Sequence, residues 1–170
     1  MDAGSWFSER FCGEKIPTLD EVFETVGNRL YMNIELTNYT TPNDGLVPKV
    51  VEVIKTHKIS ERLWFSSFLP SNLEIAEQLL PEIPRGLLTR HLWRGTSARR
   101  DWQYGKYQSL NPFFLDTTSN LVKRVHAQGG RVFVFTVNRV NEMRRLSKIG
   151  VDGILTDDPA LALRLFGRGK

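Results

Sequence analysis

An α/β protein built on a parallel sheet is what this sequence predicts, and three observations predict it. Short apolar runs of strand type alternate along the chain with segments of helical apolar spacing. No two strand-type runs follow each other directly, and no short-period repeat is present. Six strand-type runs begin near residues 31, 62, 85, 109, 131 and 153, each followed by a helix, which is the pattern of parallel crossovers. Two architectures share that pattern, a doubly wound open sheet and a (β/α)8 barrel. A complete barrel needs eight strands and about 250 residues, whereas this chain has 170 residues and opens on a helix.

The elements follow in order. In "IPTLDEVFETV", Thr18 and Glu21 form a capping box ahead of Leu19, Val22, Phe23 and Val26 at helical spacing. "LYMNIELTNYT" comes next, where Leu30, Met32, Ile34 and Leu36 predict a buried strand with Glu35 set among them. An ionised carboxylate in such a place is costly unless it is paired or coordinates something. After a polar turn, "LVPKVVEVIKTHKI" places Leu46, Val47, Val50, Val53 and Ile54 on one helix face. "RLWFSSF" is a strand, a helix starts at about Ser71, and "RGLLT" is a short strand. From His91 to Lys106 the pattern is weakest, with a short helix near Ala98 to Tyr104.

"SLNPFFL" is a strand with Pro112 tolerated near its end. "SNLVKRVHAQGG" is a helix that Gly129 stops. "RVFVFTVN" is the strongest strand, and "NEMRRLSKIG" a short helix with Asn141 as its N-cap and Gly150 as its stop. "GILTD" is the last strand, before a closing helix with Asp158 as N-cap and Pro159 in its first position.

A hydrophobic fraction of 41% and a charged fraction of 25% are those of an ordinary soluble domain. The net charge is +4, but Arg99-Arg100, Lys123-Arg124 and Arg144-Arg145 fall on helix surfaces, so solvated faces are expected rather than a nucleic-acid groove. A mild preference for anionic substrates is compatible with that charge. Cys12 is the single cysteine, which excludes an internal disulfide. No apolar run approaches the ~18 residues of a membrane span. The first twenty residues lack the apolar stretch of a leader peptide, so a cytoplasmic, soluble protein is expected.

Five blocks carry a resemblance: "DAGSWFSERFCGEKIPTLDEV", "NIELT", "SSF", "GGRVFVFTVN" and "GVDGILTDDP". In this order and spacing they resemble the glycerophosphodiester phosphodiesterase family, soluble bacterial type, from Asp2 to about Leu163. The resemblance implies a TIM barrel and a metal-dependent phosphoric diester hydrolase of glycerophospholipid metabolism, releasing an alcohol and glycerol 3-phosphate. It also implies that residues 1–170 are the C-terminal portion of that barrel, as one domain holding about six of eight strands. The family's first strand ends in His-Arg-Gly, and Glu-x-Asp and His-Asp blocks follow; none of these occurs here. The acid/base histidines are therefore absent from this chain, and the barrel is expected to be incomplete, its first two strands missing.

In such chemistry a divalent cation held by carboxylates supplies charge and activates water, while histidines move protons. The resemblance implies that Glu35 is a metal ligand, and oxygen ligands favour Mg2+ or Ca2+. Thr37 stands where the family often has a lysine, offering a hydroxyl to the phosphate but no charge. Ser66 and Ser67 end their strand at the expected mouth, with Ser67 taken as a substrate contact. Phe135 stands where the family often has a tryptophan lining the pocket, and Asn138 at a strand end is a further substrate contact. Each has a plainer alternative: Ser67 as a helix cap, Phe135 as core, Asn138 and Asp157 as residues that start or orient helices. His57 and His126 are expected on outer helices and His91 in a loop that could face the mouth.

Two functions stay open. One is a phosphodiesterase acting on small glycerophosphodiesters, inactive as this chain alone. The other is a non-catalytic remnant or anion-binding module. Without two strands, the edges at residues 30–36 and 153–157 are unpaired, which predicts self-association.

Overall fold

The computed structural model describes residues 2–27, 29–41 and 43–167; the remaining residues of the expected 1–170 domain lie outside that description. Six parallel strands form one sheet in the order β1-β2-β3-β4-β5-β6. They are β1 (Met32–Glu35), β2 (Leu63–Ser67), β3 (Arg85–Thr89), β4 (Ser109–Pro112), β5 (Arg131–Val134) and β6 (Gly153–Ile154). The helices are α1 (Leu19–Val26), α2 (Leu46–His57), α3 (Pro70–Leu79), α4 (Thr96–Asp101), α5 (Ser119–Ala127), α6 (Val140–Lys148) and α7 (Pro159–Phe166). Every strand pairs with the next in sequence, as right-handed βα repetition around a barrel requires.

The sheet is curled into a half barrel. In a flat sheet β2 and β5 would lie three spacings apart, about 14 Å. Instead the Trp64 and Phe133 rings meet at 3.9 Å between centroids. Their inner-face contact needs Gly153 on the next strand, where a Cβ would stand 2.8 Å from the Phe133 ring.

Strand parity sorts the side chains. Leu36, Phe65, Leu87, Leu110, Val132 and Val134 point outward into one continuous core with Val51 and Ile54 of α2, Leu73 and Ala76 of α3, and Leu121 and Val125 of α5. Asn33, Glu35, Trp64, Ser66, Gly86, Ser109, Asn111 and Phe133 fall on the alternate, inner parity. The core that holds the sheet is thus the layer between strands and helices.

Local rules account for most helix ends. Thr18 accepts from the Glu21 amide while the Glu21 carboxylate accepts from the Thr18 amide, the capping box read from sequence. Asp158 caps α7 through the Leu161 amide, with Pro159 in its first position. Gly129 and Gly150 end α5 and α6 at φ of +77° and +82°, where a side chain would be strained.

Four boundaries differ from expectation. Leu30 is 55% exposed and precedes β1 instead of belonging to it. α3 begins at Pro70, one residue early, because proline suits a first helical position. α4 occupies Thr96–Asp101 and passes into a 3-10 turn over Trp102–Gly105. Asn141 lies within α6, whose N-cap is Arg139 with no side-chain bond. Among the described residues no helix is long and apolar enough to cross a membrane.

Candidate functional site

The C-terminal ends of the parallel strands make a mouth, the place where side chains from many strands converge. Glu35 is the last residue of β1 and is exposed on the inner face. Its apolar neighbours Ile34 and Leu36 point the other way, so no buried charge arises. Tyr39 donates a hydrogen bond from its hydroxyl to Glu35 Oε1 at 2.8 Å. Burial first, and then the bond to Glu35, push the Tyr39 phenol well above its usual range; it stays a donor at neutral pH. Glu35 Oε2 has no hydrogen-bond partner among the described residues.

Tyr39 begins an aromatic collar. Its ring lies edge-on to Phe68 at 5.7 Å, and Phe68 is edge-on to Phe135 at 5.7 Å. Phe113 stands 6.2 Å from Phe135. The Arg90 guanidinium sits over Phe68 at 5.3 Å and reaches the Tyr39 ring at 6.0 Å. A cavity of about 470 Å3 opens beside this collar, lined by Phe68, Arg90, His91, Trp93, Arg94 and Phe135 among others. A second groove, about 480 Å3, lies at the opposite end around Tyr31, Trp64 and Phe133. It is the open side of the half barrel below the inner ring pair, and it holds none of the mouth residues.

The expected site residues separate into two groups. Glu35, Thr37 and Phe135 are at or beside the mouth, with Thr37 exposed and Phe135 half-buried. Ser67 is not. It is fully buried on the outer parity, donating to the Leu36 carbonyl at 2.8 Å and accepting from the Leu69 amide. Its neighbour Ser66 has the inner parity, pairs in register with Glu35, and is buried without a hydrogen-bond partner. Asn138 is a brace: its amide donates to Asp157 at 2.6 Å, and its oxygen accepts from the Asp157 amide and the Thr156 hydroxyl. Neither residue starts a helix, since α6 and α7 have Arg139 and Asp158 as N-caps; the pair ties together the two loops that lead into those helices.

The segment bearing Glu35 is held from outside the sheet. Asn72 of α3, fully buried, donates to Asn38 Oδ1 at 2.7 Å and approaches the Leu36 carbonyl at 3.3 Å. Asn38 in turn donates to Asp44 at 2.9 Å. That contact, the Leu46 amide and the Thr41 hydroxyl hold the Asp44 carboxyl below its usual range. Removing a buried donor from such a network costs about 1–3 kcal/mol. Asn72→Ala is therefore expected to lower stability by about that much, measured by urea denaturation; a loss under about 0.5 kcal/mol would mean the clasp is idle.

The histidines are where their sequence contexts put them. His57 pairs with Asp20 at 2.9 Å and His126 with Asp152 at 2.7 Å, both on the outer layer. His91 does reach the mouth cavity, but Asp116 holds its Nδ1 at 3.1 Å, and the same carboxylate oxygen takes Arg99 at 3.0 Å. Tyr39, Arg90 and Ser66 are the mouth groups that sequence reasoning did not select. For Ser66 a signal existed, since it shares parity with Trp64 and Phe68 in the strand.

Comparison with known proteins agrees with the barrel. A glycerophosphodiester phosphodiesterase of Caldanaerobacter subterraneus subsp. tengcongensis is 35% identical over 99% of this chain and 69% of that protein. One from Bacillus altitudinis is 31% identical over 96% of this chain and 68% of that protein. Among solved structures, an Oleispira antarctica phosphodiesterase in complex with the product sn-glycerol-3-phosphate superposes with a TM-score of 0.84, at 27% identity. That match covers 98% of this chain and 68% of the other. The glycerophosphodiester phosphodiesterase of Thermotoga maritima gives a TM-score of 0.68 at 25% identity, over 89% of this chain and 64% of that one. The model of the glycerophosphoryl diester phosphodiesterase family matches residues 1–161, and with relatives at this identity along nearly its whole length, the chain belongs to that family of hydrolases.

Proposed function

We propose that this half barrel carries part of the active site of a metal-dependent glycerophosphodiester hydrolase, and that Glu35 is one oxygen ligand of its divalent cation, Mg2+ or Ca2+. The observation that carries the reading is Glu35 itself: an exposed inner-face carboxylate at a strand's C-terminal end, with Oε1 fixed by Tyr39 and Oε2 open. Thr37 and Phe135 border the same mouth, and Ser66 takes the place first given to Ser67 as the serine on the substrate side.

The residues in hand do not make a cation site alone. Mg2+ and Ca2+ take at least six ligands, mostly oxygen, and no group of three or more acidic, histidine or cysteine side chains among the described residues is arranged to hold a metal. The remaining ligands and the acid/base histidines come from outside these 170 residues. What this chain contributes is orientation: Tyr39 sets the Glu35 carboxylate, and the Asn72–Asn38–Asp44 clasp fixes the segment behind it.

A direct test is hydrolysis of a glycerophosphodiester by the chain alone and by the chain fused behind the N-terminal strands of a relative. Metal-dependent turnover by the fusion only is the expected result. Equal turnover by the unfused chain would sink the assignment.

A second reading, a non-catalytic anion-binding half barrel, is favoured by one observation: the only histidine at the mouth among the described residues, His91, is committed to Asp116. In either case β1 and β6 each have one strand neighbour in the sheet. Self-association through those edges is part of the proposal; light scattering that finds only monomer would remove it.

A further inference from the structure

The cavity beside the collar has a composition that bears on which substrates the mouth accepts. Two guanidiniums line it, Arg90 and Arg94, and no carboxylate does. Neither arginine has a carboxylate partner among the described residues, in contrast to Arg99, which Asp116 holds at 3.0 Å. Both lie instead on aromatic faces: Arg90 over Phe68 and near Tyr39, Arg94 over Trp93 at 5.4 Å.

Cation–π stacking holds a guanidinium in place without neutralising it. The planar fork keeps its edge donors free for an anion while its face rests on the ring. The same stacking has a second consequence. A quaternary ammonium needs open aromatic faces, and here guanidiniums already lie on two of the lining rings, Phe68 and Trp93, which leaves Phe135. A positively charged head group would meet like charge, and the acid beside the cavity, Asp116, is already engaged by His91 and Arg99.

We infer that this cavity is the head-group subsite and that it selects glycerophosphodiesters with an anionic head group over those with a cationic one such as choline. The inference rests on the phosphodiesterase reading of the mouth and adds the substrate class to it. Arg90 is placed between the two parts. It stacks on Tyr39, which binds Glu35, and it also lines the cavity.

Calorimetric titration of the chain fused behind the N-terminal strands of a relative tests this with three probes: sn-glycerol 3-phosphate, glycerophosphocholine and glycerophosphoinositol 4-phosphate, each with and without Mg2+. The anionic diester is expected to bind the wild-type chain about tenfold or more tighter than the choline diester. In the Arg90→Gln/Arg94→Gln double variant that preference should shrink to about twofold or less, because neutral amides lack the charge. Arg90→Lys/Arg94→Lys should keep part of it, since charge survives without the fork. Equal affinity for the two diesters, or a preference unchanged in the glutamine variant, overturns the subsite. If glycerol 3-phosphate binds the folded chain and the two diesters do not differ, the subsite alone falls. Should none of the three bind a completed barrel that melts cooperatively, the phosphodiesterase reading falls with it.

Discussion

Glu35→Gln in the completed barrel is expected to cut metal-dependent turnover at least ~100-fold, because a metal centre contributes several kcal/mol to the reaction and this change removes one of its charges. Stability should move by less than about 0.5 kcal/mol. The carboxylate is exposed and accepts one hydrogen bond among the described residues, from Tyr39. A glutamine oxygen still accepts that bond, so the segment stays where it is. Product release assays give the first number and thermal denaturation the second. Turnover that survives the change would take Glu35 out of the metal site. A large stability loss would instead mean the carboxylate is structural, paired in a way this arrangement does not contain.

That separation of activity from stability follows from parity. Along β1, Ile34 and Leu36 face the helices while Asn33 and Glu35 face the interior. In the sequence the same alternation looks like a charge trapped among apolar residues, since the eye reads neighbours in line and not by face. The metal role proposed for Glu35 comes only from the resemblance, and the physical setting of the carboxylate was not legible. All six strand starts were legible to within a residue, because apolar strand runs and helical spacing alternate cleanly. Helix ends set by side-chain caps, as at Thr18 and Asp158, were legible too. α6 was misplaced because its N-cap makes no side-chain bond that a motif could announce.

The mouth was less legible for a different reason. Tyr39, Phe68, Arg90 and Phe135 come from four separate stretches of chain and meet only because the sheet curls. Arg90 in particular reads as one more basic residue at a strand end until the ring beneath it is seen. Ser67 and Ser66 differ by one position, which is one face of the sheet. Only the register separates them, and it sets Ser66 opposite Glu35.

The same parity predicts where the fold is fragile. Phe65 is fully buried on the outer face of β2, in the cluster with Leu36, Ile54, Leu73 and Leu87. Phe65→Ala should cost about 3–5 kcal/mol, the usual loss for truncating a buried phenylalanine. Against a total stability of about 5–15 kcal/mol, that is enough to bring a half barrel to the edge of unfolding. Phe133 is the same residue type on the inner face of β5, half-buried against Trp64. Its truncation should cost about half as much or less, since solvent already reaches it and the cavity left behind is open. Urea denaturation at low protein concentration compares the two. If Phe65→Ala fails to fold, Phe65→Leu gives a measurable value, expected under about 1.5 kcal/mol. A Phe133→Ala variant as costly as Phe65→Ala would locate the stabilising core inside the barrel. Open edges at β1 and β6 would then unseat the fold itself. With the core between sheet and helices, the inner face carries the smaller share of the stability, and Glu35, which is exposed there, is expected to add the least.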